Sequence, residues 1–134
     1  MNDLNANATL FENHPAIQAG VSWFVEQLAP FVQDGLSDDF RKMFVQMLTY
    51  GLAERFTGRG IILKEDLRFE GDQELELRFQ EMPSQQVQKA ARRLSLRFTP
   101  ESERLNVFVR IGPKYAMGHV DNGGGFVSIY SAQN

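Results

Sequence analysis

Two histidines, a glycine run, a group of carboxylates, a group of basic side chains and a few aromatics at unusual registers are the residues of this chain with chemistry to offer. His14 and His119 are far apart in sequence, and neither has a ligand-type residue at metal spacing. A metal or catalytic centre needs several convergent groups, so both are expected to be exposed or hydrogen-bonded histidines. Gly123-Gly124-Gly125 has the composition of a phosphate cradle, but such cradles join a strand to a helix whose N–H groups face the anion. Strand-like sequence lies on both sides here, which makes the run a hairpin loop with Asn122 and Gly123 supplying positive φ. Gly58-Arg59-Gly60 follows a helical pattern and is read as a connector. Glu70, Asp72, Glu74 and Glu76 lack calcium-loop spacing and are expected on a solvated strand edge. Lys89, Arg92, Arg93 and Arg97 suit the wet face of a short helix.

Aromatic residues are more informative. Trp23 falls about 60° from the main apolar stripe of its helical segment, at roughly 100° per residue. Core packing is expected there, with an exposed binding patch as the alternative. Phe108 lies in a run where Leu105, Val107 and Val109 alternate inward, so period two turns Phe108 outward with Arg110 on the same face. An outward aromatic beside an arginine has the make-up of a protein-contact hot spot. Cover by another segment of the chain is the competing reading.

The whole composition limits these possibilities. The chain has 134 residues, with 14 Lys plus Arg against 17 Asp plus Glu, a net charge of −3, 11 Phe and no Cys. One compact domain is the natural count. An acidic balance supplies no long-range field for nucleic acid or membrane, and nucleic-acid binding is disfavoured. Without Cys there are no disulfides, thiolate zinc sites, iron–sulfur clusters or cysteine nucleophiles. No apolar run approaches the roughly 20 residues that span a bilayer. Neither a signal peptide nor a transit peptide is recognisable, so a cytoplasmic address is expected, or a nuclear one in a eukaryotic cell.

Residues 1–13 are Asn-rich and are expected to form a flexible arm ahead of a single domain over 14–134. Ile17, Val21, Phe24, Val25, Leu28 and Val32 recur at helical spacing, with Pro15 near the start and Pro30 near the end. Ser37 opens a second helix over roughly Asp38 to Phe56, whose Phe40, Met43, Phe44, Met47, Leu48, Leu52 and Phe56 make a broad apolar stripe. Period two then takes over. Leu67 and Phe69, then Leu75, Leu77 and Phe79, predict a hairpin turned by Gly71-Asp72-Gln73. Pro83 and Ser84 start a short helix with Val87, Ala90, Ala91 and Leu94 inward. Strands follow around Leu105 to Arg110, Tyr115 to Val120 and Phe126 to Tyr130. The expected fold class is α+β: two N-terminal antiparallel helices packed on an antiparallel sheet with an inserted short helix.

This order of elements resembles the BTG/Tob antiproliferative domain. Val21-Ser22-Trp23-Phe24-Val25 and Phe40 to Phe56, ending Leu52-Ala53-Glu54-Arg55-Phe56, are similar to that family's helical opening. Pro83 to Leu96 resembles its inner helix. Arg104 to Arg110, Pro113 to Val120, a glycine turn and Phe126 to Tyr130 are similar to its second signature box. The likeness spans about Ala16 to Tyr130. It implies a BTG-like fold and a non-enzymatic adaptor that binds the catalytic subunit of a poly(A)-shortening complex, regulatory in mRNA deadenylation or transcription. The family's first box, His-Trp-x-Pro-Glu-Lys-Pro, is absent after Phe56. In the second box Phe108 stands for the family's Trp, and Asp-Pro becomes Arg110-Ile111-Gly112-Pro113. An Asp-to-Arg reversal opposite an unchanged partner surface replaces attraction with repulsion.

The expected partner-binding residues are Phe108, Arg110, Pro113 and Tyr115, with no catalytic residue, metal or cofactor. Self-association through an edge strand or the Phe108 patch is a further expectation. The alternative function is a small-ligand or nucleotide-binding α+β domain, with a pocket between helices and sheet anchored by Arg59, Arg68 and His119. An enzyme ranks third, because no nucleophile and base pair is recognisable.

Overall fold

The computed structural model describes residues 3–58, 75–79, 85–120 and 126–132. Leu67 and Phe69, the glycine run Gly123-Gly124-Gly125, Arg59 and Arg68, and the carboxylates Glu70, Asp72 and Glu74 lie outside the described residues. Four α-helices occur among those described: α1 (Asp3–Asn13), α2 (Pro15–Leu28), α3 (Asp38–Gly58) and α4 (Gln85–Arg93). The strands are β1 (Leu75–Phe79), β2 (Val107–Ile111), β3 (Tyr115–Val120) and β4 (Val127–Ser131). They form one antiparallel sheet in the order β1-β2-β3-β4, with α4 inserted between β1 and β2. The chain is therefore an α+β protein, as its sequence pattern predicts. No helix among the described residues is long and apolar enough to cross a membrane.

Local chemistry accounts for the helix boundaries. Pro15 occupies the first turn of α2, where its missing N–H costs nothing. Nδ1 of the buried His14 accepts a long 3.5 Å hydrogen bond from the Ile17 N–H and caps the helix. Pro30 limits α2 at Leu28, and the chain continues as one 3₁₀ turn, Ala29–Phe31. After a turn in which Asp34 and Gly35 have φ of 67° and 82°, the Ser37 hydroxyl accepts from the Phe40 N–H at 3.2 Å and starts α3. Asp38 and Asp39 sit in its first turn, where the helix dipole favours negative charge.

The expected loose arm is a helix. Asn-rich sequence has weak helix propensity, but tertiary burial overrides it: Phe11 is fully buried, and Ala8 and Leu10 pack against the core. Gln18 fastens this segment. Its Nε2 donates to the Phe11 carbonyl at 3.1 Å and to the Thr49 hydroxyl at 3.2 Å, while Thr49 donates to the Val45 carbonyl at 2.8 Å. One amide thus joins α1, α2 and α3.

Helix α2 lies between the sheet and α3, with Ala16, Ile17, Gly20, Val21, Phe24, Val25 and Leu28 all buried. This differs from the expected pair of helices on the sheet. Helix α3 stands behind α2, packed on α1, α2 and α4. Its apolar stripe divides accordingly: Phe44, Leu48 and Leu52 enter the core, whereas Phe40 and Met43 are exposed.

Two glycines set how closely α2 meets the sheet. A Cβ on Gly20 would lie 2.8 Å from the Ile111 side chain, and one on Gly118 would lie 2.5 Å from the Trp23 ring. Trp23, half-buried, therefore packs closely on β3, and the core reading of this residue holds. Gly118→Ala must push a rigid indole away, and is expected to cost about 1–3 kcal/mol in urea unfolding. A loss below about 0.5 kcal/mol, the range of ordinary surface changes, would show that the contact does not set the docking.

Candidate interaction face

Because α2 covers one face of the sheet, the strands carry two different rows of side chains. Leu75, Leu77, Phe79, Val107, Val109, Ile111 and Ala116 point to the helices and are buried. The opposite row follows from the strand register, which pairs Arg78 with Phe108, Phe108 with His119, Glu76 with Arg110 and Arg110 with Met117. Phe126, which precedes β4, joins this row beside His119 and Phe108. A bulge between Ala116 and Met117 shifts β4, so that Ile129 reaches inward to Gly118 while Ser128 stays opposite Met117.

The outer row has a cationic and aromatic chemistry. The Arg78 guanidinium lies 5.0 Å from the Phe108 ring centroid. Arg110 lies 5.6 Å from the Phe108 centroid and 5.6 Å from that of Phe126. The two phenyl rings meet edge-on at 6.0 Å, and His119 lies 5.7 Å from Phe126. Each ring face thus attracts a cation, at about 0.5–1 kcal/mol for a partly exposed pair. Arg78 also meets Glu76 at 3.2 Å. Phe108 and Arg110 are half-buried, while Phe126 keeps 46% of its surface exposed. Guanidiniums held over rings are oriented before any partner arrives, which lowers the ordering cost of binding.

The four expected partner-binding residues and His119 are all among the described residues. Phe108 and Arg110 are neighbours on the outer face, as their alternation predicts. Tyr115 is on the same face, two register steps along β3 from His119, with its ring laid over Gly112. The Gly112 N–H donates to the Tyr115 carbonyl at 2.9 Å, closing the β2–β3 hairpin. Pro113 occupies that turn, half-buried, at the end of the sheet and apart from the Phe108 cluster. His119 belongs to the outer face, which corrects its expected place as an anchor in a pocket between helices and sheet. Pairing decides this: His119 opposes the outward Phe108. Sequence reasoning missed Arg78, Met117 and Phe126 as members of this face, because register across strands is a tertiary fact.

Other groups are placed elsewhere. His14 is a buried helix cap. Lys89 meets Glu54 at 3.6 Å between α4 and α3, whereas Arg92, Arg93 and Arg97 are exposed. Among the described residues no group of three or more His, Asp or Glu side chains is arranged to hold a metal ion. A cavity of about 940 Å³ opens between β1, α4 and the 3₁₀ turn Pro100–Arg104, lined by Phe79, Val87, Leu96 and Phe98 and by the charged Arg92, Glu103 and Arg104.

No protein-family model matches this chain, and no curated protein sequence matches it.

The two faces of the sheet differ in what a truncation removes. Phe44→Ala removes a fully buried ring and is expected to cost about 3–5 kcal/mol. Phe108→Ala gives up edge and cation contacts, at about 1 kcal/mol. Urea midpoints at constant m-value measure both. Equal losses in the two variants would show that Phe108 is a core residue.

Proposed function

We propose that this protein is a non-enzymatic adaptor that binds another protein through the outer face of its sheet, centred on Phe108, Arg110 and Tyr115. The carrying observation is the Arg78–Phe108–Arg110–Phe126 cluster, an oriented set of cations and rings on the face of the sheet opposite helix α2, with Phe126 46% exposed. Arg and aromatic anchors are the residue types that dominate binding energy at protein interfaces. The complementary partner surface offers carboxylates to Arg110 and Arg78 and apolar or aromatic side chains to Phe126. Helices ahead of an antiparallel meander, with one helix inserted between its strands, support a divergent BTG/Tob-like reading. On that reading the partner is the catalytic subunit of a deadenylase, and the role is regulatory in mRNA deadenylation or transcription.

A second reading rests on the cavity of about 940 Å³ beside α4. Its mixed lining, apolar at Phe79, Val87, Leu96 and Phe98 and charged at Arg92, Glu103 and Arg104, suits a small ligand with a ring or chain and an anionic group, such as a nucleotide.

Affinity capture from the source lysate, with mass spectrometry of proteins and extracted small molecules, separates the two. The expected result is a stoichiometric protein partner that Phe108→Ala and Arg110→Glu each reduce by at least about tenfold. A deadenylase subunit in that position supports the family role. Capture of a small molecule, with no protein dependent on Phe108, would contradict the adaptor reading and favour the cavity.

A further inference from the structure

Five large apolar side chains are exposed among the described residues, and three of them share helix α3: Phe40 at 43%, Met43 at 39% and Tyr50 at 45%. Met47, half-buried, falls between them. Steps of three, four and three residues place all four along one stripe of the helix, away from the buried Phe44, Leu48 and Leu52. The outer side of a surface helix is ordinarily polar, so this stripe needs an explanation. Along its second half it borders a groove of about 800 Å³ between α3 and α4, lined by Met47, Tyr50, Gly51, Gln86 and Ala90.

We propose that this face pairs with the same face of a second copy of the chain, α3 against α3, antiparallel across a twofold axis. The stripe itself specifies that partner. Aromatic, Met, Met, aromatic at steps of three, four and three is symmetric about position 45. Reversing the helix therefore sets Phe40 against Tyr50 of the second copy and Met43 against Met47 of the second copy, each pair occurring twice. These are the alternating layers of an antiparallel helix pair, in a self-complementary interface. The Phe40 ring of each copy then arrives beside Gly51, at the groove of the other.

Dipoles point the same way. Antiparallel pairing opposes the dipoles of the two α3 helices, whereas a parallel pair aligns them and stacks Asp38 and Asp39 on their own counterparts. Side-chain charge along the helix is balanced: Arg41 and Lys42 follow Asp38 and Asp39, and Glu54 stands before Arg55 and pairs with Lys89 at 3.6 Å.

The chain has no cysteine, so single cysteines report the geometry directly. Sedimentation equilibrium of the full chain is expected to show twice the 15.3 kDa chain mass at micromolar concentration. Met43→Glu, at an exposed site, is expected to raise the dimer dissociation constant at least about tenfold with an unchanged circular dichroism spectrum. In a mixture of Met43→Cys and Met47→Cys proteins, the mixed disulfide is expected to form faster than either self-disulfide. A monomer throughout the concentration range overturns the proposal. So does a dimer that Met43→Glu leaves intact, or a faster Met43→Cys self-disulfide, which would indicate parallel pairing.

Discussion

The close seating of α2 on the sheet is the contact on which the other features depend. Gly20 lets the helix backbone approach Ile111 and Ala116, and Gly118 lets the Trp23 ring lie on β3. Both positions lack a Cβ where a Cβ would overlap a neighbour. The result is a helix with seven buried residues, Ala16, Ile17, Gly20, Val21, Phe24, Val25 and Leu28, between the sheet and α3. Apolar burial on this scale is the main favourable term for a domain of this size. It also commits one face of the sheet to the interior.

That commitment decides what the other face can do. Period two in β1, β2 and β3 sends Arg78, Phe108, Arg110, Met117 and His119 away from α2. Phe126 then completes a cluster in which cations and ring faces satisfy one another at 5.0–5.6 Å. Such an arrangement holds long side chains in place, with the Arg110 guanidinium partly buried and its Nε out of contact with solvent. Residues one apart, such as Val107 and Phe108, therefore lie on opposite faces, the first buried against the helices and the second half-buried on the outer side.

Sequence patterns captured the parts that rest on local physics. The helical spacing of Ile17 to Leu28, the prolines at 15 and 30, Ser37 as a cap and the alternation of Val107, Phe108, Val109 and Arg110 all reappear in the structure. What escaped was set by tertiary contacts. Residues 3–13 read as an arm because asparagines are weak helix formers, whereas tertiary packing of Phe11, Ala8 and Leu10 accompanies a helix there. The broad stripe of α3 read as core, although α2 and its neighbours cover one side of it and leave Phe40 and Met43 exposed. Arg78 came opposite Phe108 through pairing register, and Phe126 joined them by ring contacts from outside β4, neither of which alternation within a single strand encodes. His119 was offered to a pocket for the same reason.

The central claim is that the outer sheet face meets a protein partner directly. Site-specific photo-cross-linking from position 126, in the source cells, tests it most closely, because Phe126 is the most exposed ring of the cluster and lies within 6.0 Å of Phe108. The account predicts a discrete heterologous adduct from position 126 that Arg110→Glu abolishes. A partner that cross-links from other surfaces while position 126 reacts only with water would contradict it.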